Sequence, residues 1–251
     1  MNKKVIIFGG SSGLGLEIAK IFGLNKNQII LISSDEKKLI SANKELNNLN
    51  ILSDYFKCDL SLVGEVDSVC EYIKEISSSI ELIIFSSAKG YFGKFSDLDI
   101  LGIENNFKIN ALSFIKILNK SIKYNNNIRY IYISSYASKI PIHNMSVYSS
   151  SKIIMDKIFE VLKLEYEKGK FLTVYPGPMN TDFDKNAIIE NNTTFRKAKK
   201  KNSPNLIATK IYRYYKKRKE TLEINSIFIN LIFIFKILFS NLFNRFLRFF
   251  K

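Results

Sequence analysis

The chain has 251 residues and a formal net charge of +15 at neutral pH. This length suits one α/β domain with a sizeable core, and the apolar and charged fractions are those of a globular protein without internal repeats. The positive charge favours nucleic acid, membranes or anionic ligands as partners. Cys58 and Cys70 have neither metal nor disulfide spacing, so we expect no metal and a reducing, cytoplasmic setting. The polar start is too short for a signal peptide.

A glycine-rich loop joins the first predicted strand to the first predicted helix. Residues 5–8 form a short apolar run typical of a buried strand, and apolar residues recur with helical spacing from Leu16. Backbone amides in such a loop, together with a helix N-terminus, can hold a phosphate. The alternative is a glycine turn without a ligand, but the strand–loop–helix context favours the phosphate site. The loop residues concerned are Gly9, Ser11, Ser12, Gly13, Leu14 and Gly15.

The second predicted strand, residues 28–32, ends in Ser33 and Ser34, and a helix is predicted over residues 35–46. In NAD-binding folds an acidic residue at this strand end binds the ribose 2′-hydroxyl. Serine hydroxyls do not repel a 2′-phosphate and can donate to it. These two residues therefore favour NADP(H) over NAD(H).

Strands and helices alternate through the rest of the domain. Strands are predicted over residues 51–57, 80–85, 128–133, 171–175 and 221–226, and helices over 62–76 and 101–124. This alternation predicts a single doubly wound parallel sheet of about seven strands with helices on both faces. Ligands bind at the carboxyl ends of such strands, where Ser135 lies. Asn110 lies inside the helix predicted over residues 101–124. Asparagine is a poor helix former, so Asn110 either has a function or faces solvent.

Tyr148 and Lys152 are four residues apart in a helix predicted over residues 145–168. Its apolar positions include Val147, Ile154, Ile158, Val161, Leu162 and Leu164. Residues four apart share one helix face, so the phenol and the ammonium group point the same way. A nearby cation favours the phenolate and lowers a tyrosine pKa, which makes the pair a candidate proton donor and acceptor. A solvated helix face is the alternative.

Taken together, these motifs resemble the short-chain dehydrogenase/reductase family over roughly residues 3–182. The resemblance implies that Tyr148 exchanges a proton with the substrate oxygen, that Lys152 lowers its pKa and holds the nicotinamide ribose, and that Ser135 binds the carbonyl. Asn110 completes the catalytic tetrad through a water chain. The cofactor contacts implied are the glycine loop with Ser33 and Ser34, then Asp59 at the adenine, and Leu60, Ser87, Ala88, Tyr148, Lys152, Pro176, Gly177 and Thr181.

Two features depart from the family pattern. Ser86-Ser87-Ala88-Lys89 stands where Asn-Asn-Ala-Gly is common, so the backbone geometry at Lys89 is in question. His143 lies in a loop that could line the substrate mouth, although a lone histidine there is more often structural or solvated.

The C-terminal part carries most of the charge. Residues 186–201 indicate a polar loop at the place of the family's substrate lid, and a helix beginning at Pro204 ends in the basic run 216–219. The chain is predicted to divide into a reductase domain, residues 1–226, and a C-terminal segment, residues 227–251, which is apolar and basic. This segment fits a transmembrane helix, a helix packed on the domain or a second subunit, or an in-plane amphipathic helix. We favour the last, because a basic polar face flanks the apolar one from Leu238 onward.

The sequence thus predicts a reductase or dehydrogenase at the cytoplasmic face of the cell membrane, acting on a carbonyl or alcohol that is lipid-linked or amphiphilic. This arrangement is loosely similar to the family subset that reduces a decaprenylphosphoryl keto-pentose. A soluble reductase of a small metabolite or acyl thioester, or a cofactor-binding regulator, are the alternatives. No nucleic-acid partner is expected, and assembly into a homo-oligomer is left open.

Overall fold

The computed structural model describes residues 3–190 and 201–224, and the single residues 235, 238 and 239. Apart from these three residues, the predicted C-terminal segment, residues 227–251, lies outside the described residues. The strands are β1 Lys4–Phe8, β2 Gln28–Ser33, β3 Ser53–Lys57, β4 Ile80–Phe85, β5 Tyr91–Phe92, β6 Arg129–Ile133, β7 Phe171–Pro176, β8 Ile188–Ile189 and β9 Thr221–Ile224. The helices are α1 Gly13–Leu24, α2 Glu36–Asn48, α3 Val63–Glu75, α4 Ile100–Phe107, α5 Ser113–Tyr124, α6 Ser146–Glu165, α7 Phe183–Asn186 and α8 Pro204–Lys216.

Seven strands form one parallel sheet in the order β3-β2-β1-β4-β6-β7-β9. The chain starts at the centre and winds outward in both directions, which confirms the predicted doubly wound architecture. Parallel pairing sets β1 against β2 and β4, with Phe8 opposite Ile32 and Phe85. All carboxyl ends therefore lie along one edge, where the loops that follow β1, β4, β6 and β7 meet.

Each face of the sheet is covered by its own apolar core. Because side chains alternate along a strand, Val5 and Ile7 of β1 face one core and Ile6 and Phe8 the other. The first core is closed by α1, α2 and α8, and the second by α3, α5 and α6. Strands buried on both faces explain why the sequence shows continuous apolar runs rather than alternation.

Helix α6 ends at Glu165, three residues before the predicted end, because Tyr166 is extended. Two predicted apolar positions are wrong as core residues: Val161 is 43% and Leu164 85% exposed. The buried face instead carries the candidate catalytic pair, and the solvated-face alternative is also wrong. This face comprises Val147, Tyr148, Ser151, Lys152, Met155 and Phe159.

The helix predicted over residues 101–124 is interrupted. A π-helical turn, Lys108–Leu112, separates α4 from α5. Asn110 lies in this turn and is fully buried, so the solvent-facing alternative for Asn110 is wrong. Single π turns inside helices are frequent at functional sites.

A polar loop was predicted over residues 186–201, but part of this segment forms a strand. Helix α7 ends at Asn186, and β8 then pairs in parallel with β5, with Tyr91 opposite Ile188 and Phe92 opposite Ile189. The backbone amide of Glu190 donates to the Phe92 carbonyl over 2.9 Å. This two-stranded sheet attaches the segment after β7 to the segment after β4, so both border the same edge of the main sheet.

Candidate active site

The glycine loop packs so closely that side chains would not fit. Gly9 has a φ of +77°, and a Cβ there would lie 2.7 Å from the Ser87 amide nitrogen. A Cβ on Gly15 would lie 2.1 Å from the Gly9 carbonyl oxygen. Helix α1 begins at Gly13 after Ser12, and among the described residues no side chain caps its first turn. Its first amides are therefore available to a phosphate, so the loop fits the pyrophosphate of a dinucleotide.

The end of β2 lies against this loop. The Ser11 hydroxyl donates to the Ser33 hydroxyl over 3.0 Å. Ser34 is exposed beside them. The next residue, Asp35, caps α2, because its Oδ1 accepts from the Lys38 amide over 3.0 Å. The first acid after β2 is thus engaged in a helix cap, and hydroxyl groups occupy the strand end.

Two predicted cofactor contacts, Asp59 and Leu60, follow β3 at the same edge. Asp59 Oδ1 accepts from both the amide and the hydroxyl of Ser61, over 2.8 and 2.7 Å. The Leu60 carbonyl accepts from the Ser113 hydroxyl over 2.6 Å, and the Leu60 side chain is in the core. These bonds hold the backbone of the β3–α3 loop in place. Contact of Asp59 with the adenine, and of Leu60 with the cofactor, remains a prediction.

Asn110 clamps the loop after β4. Its Oδ1 accepts from the Lys89 amide over 2.8 Å, and its Nδ2 donates to the Lys89 carbonyl over 2.9 Å. Nδ2 also lies 3.1 Å from both the Asn106 Oδ1 and the Ser151 Oγ. Asn110 thus anchors the loop through the backbone of Lys89, although a lysine stands there in place of the glycine common in the family. The clamp fixes Ser87 and Ala88 beside the glycine loop.

Tyr148 and Lys152, in the first two turns of α6, lie close to Ser135, which follows the carboxyl end of β6. The Ser135 side chain lies close enough to Tyr148 to lower the pKa of its phenol. The Ser135 hydroxyl also accepts from the Ala137 amide over 3.1 Å, which orients it. Lys152 is 1% exposed and its Nζ donates to the Ile133 carbonyl over 3.0 Å. Its Nζ lies 6.0 Å from the centre of the Tyr148 ring.

The electrostatics of this pair differ from the sequence expectation. Burial raises the pKa of Tyr148 to about 12, the Ser135 side chain opposes the rise, and the charges of Asp156 and Asp184 add to it. Burial lowers the pKa of Lys152 to about 8, with Asp156 opposing. The predicted lowering of the tyrosine pKa by Lys152 is absent here, because Lys152 is not among the groups that shift it. The Tyr148 hydroxyl is thus protonated at neutral pH.

The segment after β7 closes the site. A Cβ on Gly13 would lie 3.3 Å from the Thr181 Cγ2, so Thr181 borders the glycine loop. Pro176 ends β7, and a Cβ on Gly177 would lie 2.9 Å from the Asn202 Nδ2. The predicted nicotinamide-closing segment therefore lies over the predicted phosphate cradle.

Aromatic residues that the sequence analysis did not single out enclose Tyr148. The Tyr148 ring centre lies 5.7 Å from that of Phe92 and 5.6 Å from that of Phe183. Met145 and Ala137 complete this apolar cluster. Phe183 follows Thr181 by two residues, a short spacing that could have placed it in the same closing segment.

Beside this cluster lies a groove of about 510 Å³. Exposed His143 lines it together with Phe95, Ile142 and Ile153. The histidine therefore lies at the wall of a largely apolar groove, and its place at a substrate mouth stays a prediction. Two polar residues of the site were also missed: Asn106 and Ser151, which bond Asn110. The four-residue spacing of Asn106 from Asn110 is the signal that could have found the first.

Comparisons with known proteins agree with this geometry. A family model described as short chain dehydrogenase matches residues 3–192. The chain is 29% identical over 196 residues to dehydrogenase/reductase SDR family member 7B of Xenopus laevis, covering 73% of this chain and 60% of that protein. It is 25% identical over 186 residues to the 3-ketodihydrosphingosine reductase of Bos taurus, covering 71% and 56% respectively. The chain thus spans less than two thirds of the length of these relatives.

Among solved structures, the fold matches a short-chain dehydrogenase from Sphingobium yanoikuyae in complex with NADPH. The TM-score is 0.80 at 18% identity, covering 95% of this chain and 96% of that one. Within the part of the chain that the structure describes, no helix combines the length and apolarity needed to cross a membrane.

Proposed function

The chain belongs to the short chain dehydrogenase family, and from that premise we propose that it is an NADP(H)-preferring oxidoreductase that interconverts a carbonyl and an alcohol. One observation carries this proposal. Tyr148 lies next to Ser135, whose side chain lowers the pKa of its phenol, and one helical turn from buried Lys152, at the sheet edge that carries a glycine loop fitting a pyrophosphate.

The three side chains have complementary proposed roles. A bound reduced nicotinamide would supply the hydride. Tyr148, whose pKa of about 12 keeps the hydroxyl protonated, donates the proton to the substrate oxygen. The Ser135 hydroxyl donates a hydrogen bond to the same oxygen as negative charge develops on it. Lys152 holds the ribose and favours the phenolate left on Tyr148.

The cofactor preference rests on the end of β2. Ser11 and Ser33 are joined by a 3.0 Å hydrogen bond, and Asp35 is turned to its own helix cap. Hydroxyl groups can donate to a 2′-phosphate, whereas a carboxylate at Ser33 would repel it. Both features support NADP(H).

A single added charge tests this preference. We expect Ser33→Asp to weaken NADPH binding by roughly tenfold or more, since like charges would meet at the 2′-phosphate, while NADH binding is kept or improved. Fluorescence titration with each cofactor measures this, with Ser68→Asp on exposed α3 as the control. Equal loss of NADPH and NADH in the Ser33 variant would contradict the preference.

For the substrate we propose an amphiphilic or lipid-linked carbonyl compound, presented at the cytoplasmic face of a membrane. The apolar cluster around Tyr148 and the adjoining groove favour an aliphatic substituent. The name of the bovine relative specifies reduction of 3-ketodihydrosphingosine, which is such a compound. The apolar and basic sequence of residues 227–251 supports a peripheral attachment.

The decisive experiment compares two extracts of the source cells, one organic and one aqueous, as drivers of NADPH oxidation by the purified protein. The proposal predicts oxidation with the organic extract. Oxidation with the aqueous extract alone would keep the reductase and reject the lipid substrate. If neither extract drives NADPH oxidation, or NADP⁺ reduction in the reverse direction, the enzymatic assignment is contradicted.

A further inference from the structure

A buried carboxylate lies one helical turn beyond the candidate catalytic lysine. Asp156 follows Lys152 by four residues on α6, so the two side chains lie on the same side of the helix, where Lys152 is buried and Asp156 is half-buried. Its Oδ1 is buried and has no hydrogen-bond partner among the described residues. A buried carboxylate without full hydrogen bonding is costly, so its retention calls for a role.

Two opposing effects act on the Asp156 carboxyl group. Burial is the larger and raises its pKa, while the hydroxyl groups of Ser134, Ser138 and Tyr175 and the charge of Lys152 favour its charged form. The same serines flank Ser135, and the Ser138 hydroxyl donates to the Ser135 carbonyl over 2.7 Å. The carboxylate therefore contacts the turn that presents Ser135.

Lys152 is buried next to neutral groups. It is 1% exposed, its Nζ donates to the neutral Ile133 carbonyl, and its Nζ lies 4.9 Å above the Tyr132 ring. Asp156 is the charged group that opposes the effect of burial on this lysine. A neutral amine could not stabilise a phenolate on Tyr148, so the charge state of Lys152 decides whether the pair works.

We propose that Asp156 is a positioning residue, the buried counter-charge that keeps Lys152 in its ammonium form beneath Tyr148 and links it to the Ser135 turn. This inference rests on the proposed function for its meaning in the reaction. The electrostatic relation between Asp156 and Lys152 is a property of the folded chain and can be measured without cofactor or substrate.

Other ionisable groups face Asp156 and define the background. On α6 itself Lys163 also feels its charge, while its Nζ donates to Thr173 over 2.8 Å. Tyr132 of β6 and Tyr175 of β7 are buried with raised pKa values and stay neutral. Lys139, paired with Glu223 of β9, lies 3.8 Å above the Tyr175 ring. A mutation at Asp156 therefore changes the charge nearest to Lys152 while these pairs persist.

The test is the titration of Lys152 in the full chain, followed by ¹³C NMR of lysine Cε in labelled protein, with Lys152→Met identifying the signal. Asp156→Asn removes the charge and keeps the shape and the acceptor oxygen. Loss of a neighbouring anion destabilises the ammonium form, so the titration midpoint of Lys152 should fall by about one pH unit. Glu160→Gln, which removes an exposed carboxylate from the same helix, should leave it unchanged.

A second readout separates this role from a structural one. If Asp156 only stabilises the fold, Asp156→Asn lowers the melting temperature while the Lys152 midpoint stays where it is, and that result overturns the proposal. With the proposed role, the pH at which NADPH binding weakens also shifts downward in Asp156→Asn. A wild-type protein that titrates as expected but reduces no carbonyl would reject the proposed function and leave the counter-charge relation intact.

Discussion

At the scale of residues, the site contains a buried cation whose burial costs stability. The pKa of Lys152 falls from 10.5 to about 8, which corresponds to about 3 kcal/mol at 1.36 kcal/mol per unit. Below pH 8 the native state bears this cost in full. Between pH 8 and 10.5 the native lysine is neutral while the unfolded one stays protonated, so stability rises with pH through this window. Lysine is kept here against the demands of the fold, as expected for a functional group.

Replacing the lysine should therefore stabilise the protein. We expect Lys152→Met to raise the free energy of unfolding at pH 7 by about 2 kcal/mol, since the lost hydrogen bond to Ile133 offsets about 1 kcal/mol of the gain. The gain should shrink as the pH approaches 10. Denaturant unfolding measures this, with exposed Lys157→Met as control. A variant less stable than wild type at every pH would show that Lys152 is not under strain.

At the scale of elements, helix α7 and the β5–β8 pair hold an aromatic lid on Tyr148. The Phe183 ring lies 5.6 Å from that of Tyr148, and the Tyr91 hydroxyl lies 3.2 Å from the Glu190 Oε1, next to β8. Tyr148 is 6% exposed beneath this cover. If Tyr148 is the proton donor, as proposed, Phe183 limits the size of the substituent that reaches it.

Removing this ring should widen the range of substrates. We expect Phe183→Ala to lower KM for bulky ketones several-fold relative to small ones, because the space above Tyr148 grows by most of a phenyl ring. A series of ketones of increasing size, assayed by NADPH oxidation, measures the ratio. Leu164→Ala, at a residue 85% exposed on α6, serves as control. An unchanged ratio would place the substrate path elsewhere.

The same scale shows where the sequence was sufficient. Apolar runs such as that of β1, Lys4–Phe8, identified the central strands of the main sheet, because parallel strands buried on both faces need them. The π turn at Asn110 was missed, since it depends on bonds to Lys89, 21 residues away. The pair β5–β8 was missed because strands of two residues carry no periodicity. Local patterns predicted the strands, and contacts distant in sequence determined the geometry of the site.

At the scale of the whole molecule, the apolar and basic C-terminal segment follows a strand that ends at the active-site edge of the sheet. Strand β9 runs parallel to β7, so Ile224 ends at the edge that also carries Ser135 and Pro176. The apolar and basic residues 227–251 follow in sequence shortly after. A chain with a net charge of +15 is attracted to anionic bilayers. Attachment through this segment would bring the membrane to the active-site edge.

Deleting residues 227–251 tests this attachment. We expect the truncated protein to lose most of its binding to vesicles that contain anionic lipid, because both the apolar anchor and its basic residues are removed. Co-sedimentation measures binding, and a melting curve checks that the domain stays folded. The full chain with Arg245, Arg248 and Lys251 changed to Gln separates charge from apolar burial. Undiminished binding of the truncated protein would reject the anchor.

The central claim, that Tyr148 transfers the proton in an NADP(H)-dependent reduction, is tested most directly by Tyr148→Phe. We predict that turnover of a reducible carbonyl falls by about 10²–10⁴-fold, while the affinity for NADPH stays within a few-fold of wild type. Tyr72→Phe, the same change on α3 away from the site, should alter neither. Turnover that survives in Tyr148→Phe would contradict the assignment of the catalytic residue, and with it the account of the site.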